Sequence, residues 1–162
     1  MVRLAIFTAL VTLVGLSTVT ALKFDFNVRI RNRESGGWIN GHNGPEYAPI
    51  VVEEKSASSL GVWRIDDGGE ETNVVFNQAT GLPVVVTDTG HPLATLKSLL
   101  PAARVLFEVI DVSAYRIKDI ETELYWTREG REVFLRRPNS IDDNQIWEFR
   151  PQGFDDAFAF WE

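Results

Sequence analysis

The side chains able to do acid–base chemistry are few. The 162-residue chain has two histidines, His42 and His91, each next to a glycine (Gly41, Gly90) in a stretch of loop character. A serine-type site needs a base oriented by a third group and a poised nucleophile. No G-x-S-x-G turn occurs to supply the nucleophile. Carboxylates come as adjacent pairs, Glu53-Glu54, Asp66-Asp67, Asp142-Asp143 and Asp155-Asp156. Neighbours on a strand point to opposite faces, so such pairs do not form the facing dyad of a glycosidase. They read as solvated loop charge. There is no cysteine, which removes thiol catalysis, zinc–thiolate sites and disulfide frameworks together. No phosphate loop, dinucleotide fingerprint or calcium loop is present. The expectation is a protein that is not an enzyme, with no catalytic residue, metal or cofactor.

One segment has the character of a recognition loop. Residues 40–49 read Asn-Gly-His-Asn-Gly-Pro-Glu-Tyr-Ala-Pro. Pro45 and Pro49 restrict the backbone, and Asn43-Gly44 favours a tight turn. A surface loop restrained in advance loses less entropy on binding. An ordinary connecting loop has the same ingredients. The formal net charge of −7 excludes phosphate backbones and anionic membrane surfaces as partners, since both need a basic face.

The elements that must position this loop begin after a leader. Arg3 precedes a nearly all-apolar run over residues 4–19, and Val19-Thr20-Ala21 offers small residues at a cleavage site. Residues 1–21 therefore read as a signal peptide, and the protein as secreted and free of the membrane after cleavage. An uncleaved anchor is the alternative, near the lower length limit for a span. Without disulfides, the mature chain must be held by its core. Phe24, Phe26, Val28 and Ile30 then alternate with Asp25, Asn27, Arg29 and Arg31. That period of two is a half-buried strand.

Two markers recur along the chain. Trp63-Arg64-Ile65, Phe107-Glu108-Val109 and Trp147-Glu148-Phe149 share an aromatic–charged–apolar pattern, at spacings of 44 and 40 residues. Val28-Arg29-Ile30, Val74-Val75-Phe76 and Tyr115-Arg116-Ile117 follow at 46 and 41. Such a period marks a repeat architecture. The third repeat holds four short strand candidates, at residues 115–118, 124–127, 132–136 and 146–150. Residues 92–106 are Leu/Ala-rich but interrupted by Pro101, and read as a long loop with room for one helical turn. Three pseudo-repeats of four short strands make an all-β protein that a β-trefoil accommodates over residues 22–152. Trp63, Phe107 and Trp147 become its core, and truncating one to alanine should cost roughly 3–5 kcal/mol. Residues 153–162 are an acidic aromatic tail, either packed on the barrel or mobile.

The run Val28-Arg29-Ile30-Arg31-Asn32, the Gly-Pro-Glu segment with Pro49-Ile50-Val51-Val52, and Trp63-Arg64-Ile65 resemble the first lobe of fungal β-trefoil serine protease inhibitors, the mushroom cospin type. Tyr115-Arg116-Ile117, Tyr125-Trp126-Thr127, Val133-Phe134-Leu135 and Asn144-Gln145-Ile146-Trp147-Glu148-Phe149 are similar to that family's third lobe. The resemblance implies a β-trefoil without cofactor that blocks a trypsin-like serine protease with one exposed first-lobe loop. On this chain that loop is Gly41, His42, Asn43, Gly44, Pro45 and Glu46, with Asn43 for the specificity pocket. The protein would act as a monomer. Arg104, after Pro101, is conceivable as a second protease-directed site. A carbohydrate-binding trefoil lectin is the alternative, because Gln145-Ile146-Trp147 fits the Q-x-W signature of ricin-type repeats. Its equivalents at Gly61-Val62-Trp63 and Val105-Leu106-Phe107 lack the glutamine. A secreted protein-binding effector is the third reading.

Overall fold

A computed structural model describes residues 26–42, 48–55, 59–95 and 100–152. The leader over residues 1–21, the tail over residues 153–162, and Asn43, Gly44, Pro45 and Glu46 of the loop lie outside the described residues.

The period-two pattern is realised in six long strands. These are β1 (Phe26–Asn32), β5 (Trp63–Gly69), β6 (Thr72–Asn77), β9 (Arg104–Asp111), β10 (Ala114–Asp119) and β13 (Trp147–Pro151). Val28 and Ile30 of β1 are fully buried, while Arg29 and Arg31 reach the surface. The strands pair antiparallel in the order β1-β13-β10-β9-β6-β5, and β5 returns to β1 through Val28 opposite Trp63. The sheet closes into a barrel, which leaves no unpaired edge among these strands.

Shorter strands cap one end. They are β2 (Trp38–Asn40), β3 (Ala48–Pro49), β4 (Val51–Glu53), β7 (Val84–Val85), β8 (Ala94–Thr95), β11 (Tyr125–Glu129) and β12 (Glu132–Arg136). Six of them form three hairpins, β2–β4, β7–β8 and β11–β12, and β3 pairs with β8. The hairpins meet at their centre. The Ile50 amide donates to Leu93 O (2.8 Å), and the Leu93 amide donates to Val133 O (2.7 Å). All three side chains are buried. A short 3-10 turn, η1 (Asp143–Gln145), precedes β13.

One turn is built three times where a barrel strand enters the cap. Asn32 Oδ1 accepts from the amide and hydroxyl of Ser35 (3.2 and 3.1 Å). Asn77 Oδ1 does the same with Thr80 (3.2 and 3.3 Å), and Asp119 Oδ2 with Thr122 (2.9 and 2.6 Å). The next residue has a positive φ each time, 67° at Gly36, 67° at Gly81 and 59° at Glu123. An Asn or Asp side chain that binds the backbone three residues on is the usual way to fix such a turn.

These turns correct the phase of the repeat. Asn32 stands opposite Trp147, Asn77 opposite Trp63, and Asp119 opposite Val105. Val105, not Phe107, is thus the counterpart of the two tryptophans. Likewise Ile30, Val75 and Ile117 correspond, so the second-lobe marker is Asn73-Val74-Val75, one residue earlier than its hydrophobic pattern suggests. Every second residue of a strand shares a face, so a shift of two keeps Phe107 buried and hides the error. Phe107 instead packs edge-on against Phe149 (5.0 Å between centroids) and Tyr115 (6.3 Å). The stretch read as a loop with a helical turn contributes β8 and the start of β9, because the barrel and cap give its backbone ladder partners.

The core is aromatic as expected. Trp63, Trp126, Trp147 and Phe107 are the largest fully buried side chains. Trp63 Nε1 donates to Ile39 O and Trp147 Nε1 to Trp126 O, both at 3.0 Å. Each indole therefore ties a barrel strand to a cap hairpin and satisfies its own buried N–H.

Candidate functional site

A cleft of about 590 Å³ lies between the first and third hairpins. Three short pieces of chain form it. The Asn32 turn supplies Ser35 and Gly37, β4 with its following residue supplies Val52, Glu53 and Glu54, and the β11–β12 hairpin supplies Arg128, Gly130 and Arg131. The backbone joins two of these pieces, since the Val52 amide donates to Arg131 O (2.8 Å).

The turn between β11 and β12 is only Gly130-Arg131, and Gly130 has φ 61°. A side chain there would be strained, so the tight turn depends on glycine. It projects Arg131, whose side chain is 76% exposed and reaches Glu53 Oε1 (2.9 Å). Glu53 Oε2 accepts from Asn40 Nδ2 (2.8 Å), so both carboxylate oxygens are engaged. Arg128 is held on three sides. Its Nε donates to Asn144 Oδ1 (2.9 Å), Nη1 to Gly130 O (3.3 Å) and Nη2 to Glu34 Oε2 (3.3 Å). Charged groups held by several partners present fixed donors and acceptors to a ligand. Among the described residues the lining contains no histidine and no aromatic ring, and its one hydroxyl, Ser35 Oγ, is occupied within the turn. The arrangement of these described residues can bind a polar ligand.

Of the loop drawn from the resemblance, Gly41 and His42 are described. Gly41 is buried and its amide donates to Leu60 O (2.8 Å). A Cβ there would come within 2.6 Å of Asn77 Nδ2, which explains the glycine. His42 is exposed. The far end of the loop is held too, because Ala48–Pro49 pairs with β8. His91 is exposed between β7 and β8, with its amide bonded to Asp88 O (3.1 Å). Arg104 lies in β9, not on a loop, and is ion-paired with Glu70 (3.5 Å) and Glu121 (3.9 Å).

Two sequence features change their meaning. Gln145 of the Q-x-W signature is buried, and its amide donates to Thr127 Oγ1 (3.0 Å) and Arg137 O (2.8 Å) while its oxygen accepts from the Asn139 amide (2.9 Å). It clamps the segment before β13 and presents nothing to a ligand. Glu53, read as solvated charge, is the centre of the cleft's polar network. Its separation by 78 residues from Arg131 left no signal along the chain. The buried Tyr125 hydroxyl, pushed up to about 12 by burial and by its bond to Glu108 Oε1 (2.9 Å), buttresses the third hairpin from below.

A closed barrel capped by three hairpins that meet at a point is the β-trefoil, and the comparisons with solved structures agree. The designed threefold-symmetric protein ThreeFoil superposes with a TM-score of 0.66 at 15% identity, over 76% of this chain and 97% of that one. SeviL bound to asialo-GM1 saccharide matches with a TM-score of 0.66 at 12% identity, over 80% and 99%. A Polyporus squamosus lectin bound to a human-type influenza-binding epitope matches at 0.66 and 15%, over 80% of this chain and 50% of that one. No protein-family model and no curated protein matches the sequence. Identities this low establish the fold alone.

Proposed function

We propose that this chain is a secreted, non-enzymatic carbohydrate-binding protein, a trefoil of three copies of one four-stranded pattern. The observation that carries the reading is the cleft between the first and third hairpins. Its Glu53 carboxylate and its two guanidinium groups are held in place, and sugar hydroxyls both donate to carboxylates and accept from guanidinium. Likeness to trefoil lectins solved with saccharides supports the same reading by analogy of fold. A glycan array probed with purified residues 22–162 tests it. Binding to a defined glycan that falls at least tenfold in R131A and in E54Q supports the cleft. An array with no signal from folded protein removes the proposal.

Protease inhibition is the second reading, favoured by the anchorage of the loop over residues 41–47 at both ends. Trypsin, chymotrypsin and subtilisin assayed with the purified protein test it. Saturable inhibition lost on replacing Asn43 would establish it, and full residual activity of all three enzymes would end it.

A further inference from the structure

The charges lining the cleft between the first and third hairpins are not all matched. Arg128 donates from Nη2 to Glu34 (3.3 Å), which stands outside the lining, and Arg131 donates from Nη2 to Glu53 (2.9 Å). Each guanidinium thus has a carboxylate of its own. Glu54 is the remaining charged residue of the lining. Its side chain is exposed, and no described residue gives it a hydrogen bond or an ion pair. An ionised carboxylate accepts hydrogen bonds and donates none.

The second open group is on Arg131. While Nη2 holds Glu53, Nε and Nη1 have no partner among the described residues. These nitrogens donate and do not accept. Asn40, itself buried, holds the other oxygen of Glu53, so the anchor of Arg131 is fixed in turn. A Cβ on Gly37 would meet Val52 Cγ1 at 2.7 Å, so glycine is needed where the Asn32 turn meets the cleft floor. The volume of about 590 Å³ is that of a small-molecule site.

A ligand that satisfies both groups brings a donor to Glu54 and acceptors to Arg131. An anionic sugar would serve Arg131, but it sets another negative charge in the cleft with Glu53 and Glu54. A neutral sugar offers hydroxyls to both and leaves the Glu54 charge without a counter-ion. An amino sugar offers hydroxyl oxygens to Arg131 and an ammonium to Glu54. Hydrogen bonds between charged partners are roughly twice as strong as neutral ones. The formal net charge of −7 acts in the same direction, since it draws cations and repels anions.

We infer that the ligand of this cleft is a glycan with a free primary amine, selected by Glu54, while Arg131 donates to its neighbouring hydroxyls. The inference rests on the carbohydrate-binding reading of the cleft. Oligomers of glucosamine and of galactosamine, each as free amine and in N-acetylated form, are titrated calorimetrically into purified residues 22–162 at physiological salt. The free-amine form of one of them should bind at least tenfold tighter than its N-acetylated form. E54Q should bring the two forms to equal affinity. E71Q removes the same charge from the turn between β5 and β6, outside the cleft, and should keep the tenfold preference. A preference that survives in E54Q, or that is lost equally in E71Q, overturns the assignment to Glu54. No binding of any free-amine form overturns the inference. So does an N-acetylated form bound as tightly as its free amine; if that binding is lost in R131A, the cleft still holds a carbohydrate and only the amine is struck out.

Discussion

The first and third cap hairpins are the same element finished in two ways. β11 and β12 are joined by Gly130-Arg131 alone, and pair continuously from Tyr125–Arg136 to Glu129–Glu132. β2 and β4 keep three pairs, Trp38–Glu53, Ile39–Val52 and Asn40–Val51, and are separated in sequence by residues 41–50. At their bases the two are alike, each receiving an indole hydrogen bond at a buried carbonyl. Variation is refused at the bases because those carbonyls are buried. The cleft exists because the short tip of one hairpin sits beside the base of the other.

The largest test of this equivalence is the tryptophan pair. W63A and W147A should each lower stability by roughly 3–5 kcal/mol in chemical denaturation. A much smaller loss in W63A would show that the longer hairpin is not held by its indole. Next come the turns. Asn32 Nδ2 donates to Asn144 O (3.0 Å) and Asn77 Nδ2 to Leu60 O (2.8 Å), both residues being fully buried. N32D and N77D lose that donor and should cost about 1–3 kcal/mol each. D119N keeps an acceptor oxygen and should melt near the parent temperature. An equal loss in all three variants would mean that the turns do not share one design.

Smaller effects test the tips. G130A puts a Cβ at φ 61° and should cost about 1–2 kcal/mol. E123G relieves a positive φ of 59° and should raise stability by up to about 1 kcal/mol. Thermal melts with the signs reversed would break the turn argument. The smallest effect is alkaline. Tyr125 titrates near 10 when unfolded and at about 12 when folded. The folded state holds that proton more tightly, so its contribution is complete below pH 10 and is lost as pH rises towards 12. Y125F should flatten the fall of stability in that window. An unchanged profile would place the alkaline sensitivity elsewhere.

Much of the fold is legible along the chain, because alternation around Val28 and Ile30 and recurrence around the tryptophans are local patterns. Legibility fails in the second lobe, where Asn73 and Val105 stand at positions taken by apolar and aromatic residues in the other lobes. There the hydrophobic pattern slides by one or two residues without penalty. The turn Asn32-x-x-Ser35-Gly36, repeated at Asn77 and Asp119, would have set the register, being spaced 45 and 42 residues apart. The cleft had no comparable signal, since Ser35, Glu53 and Arg131 meet only through pairing between distant strands.

The amino-acid sequence by itself determined an all-β chain without cysteine, an acidic balance, its buried aromatics and the absence of a recognisable catalytic motif. Those properties follow from residue type and from periods of a few residues. Tertiary structure alone decided that Val105 replaces a tryptophan, that Gln145 is an internal clamp, and that Glu53 and Arg131 share a cleft. Each depends on strand register and barrel closure, which are set by the sum of many contacts between residues far apart in the chain.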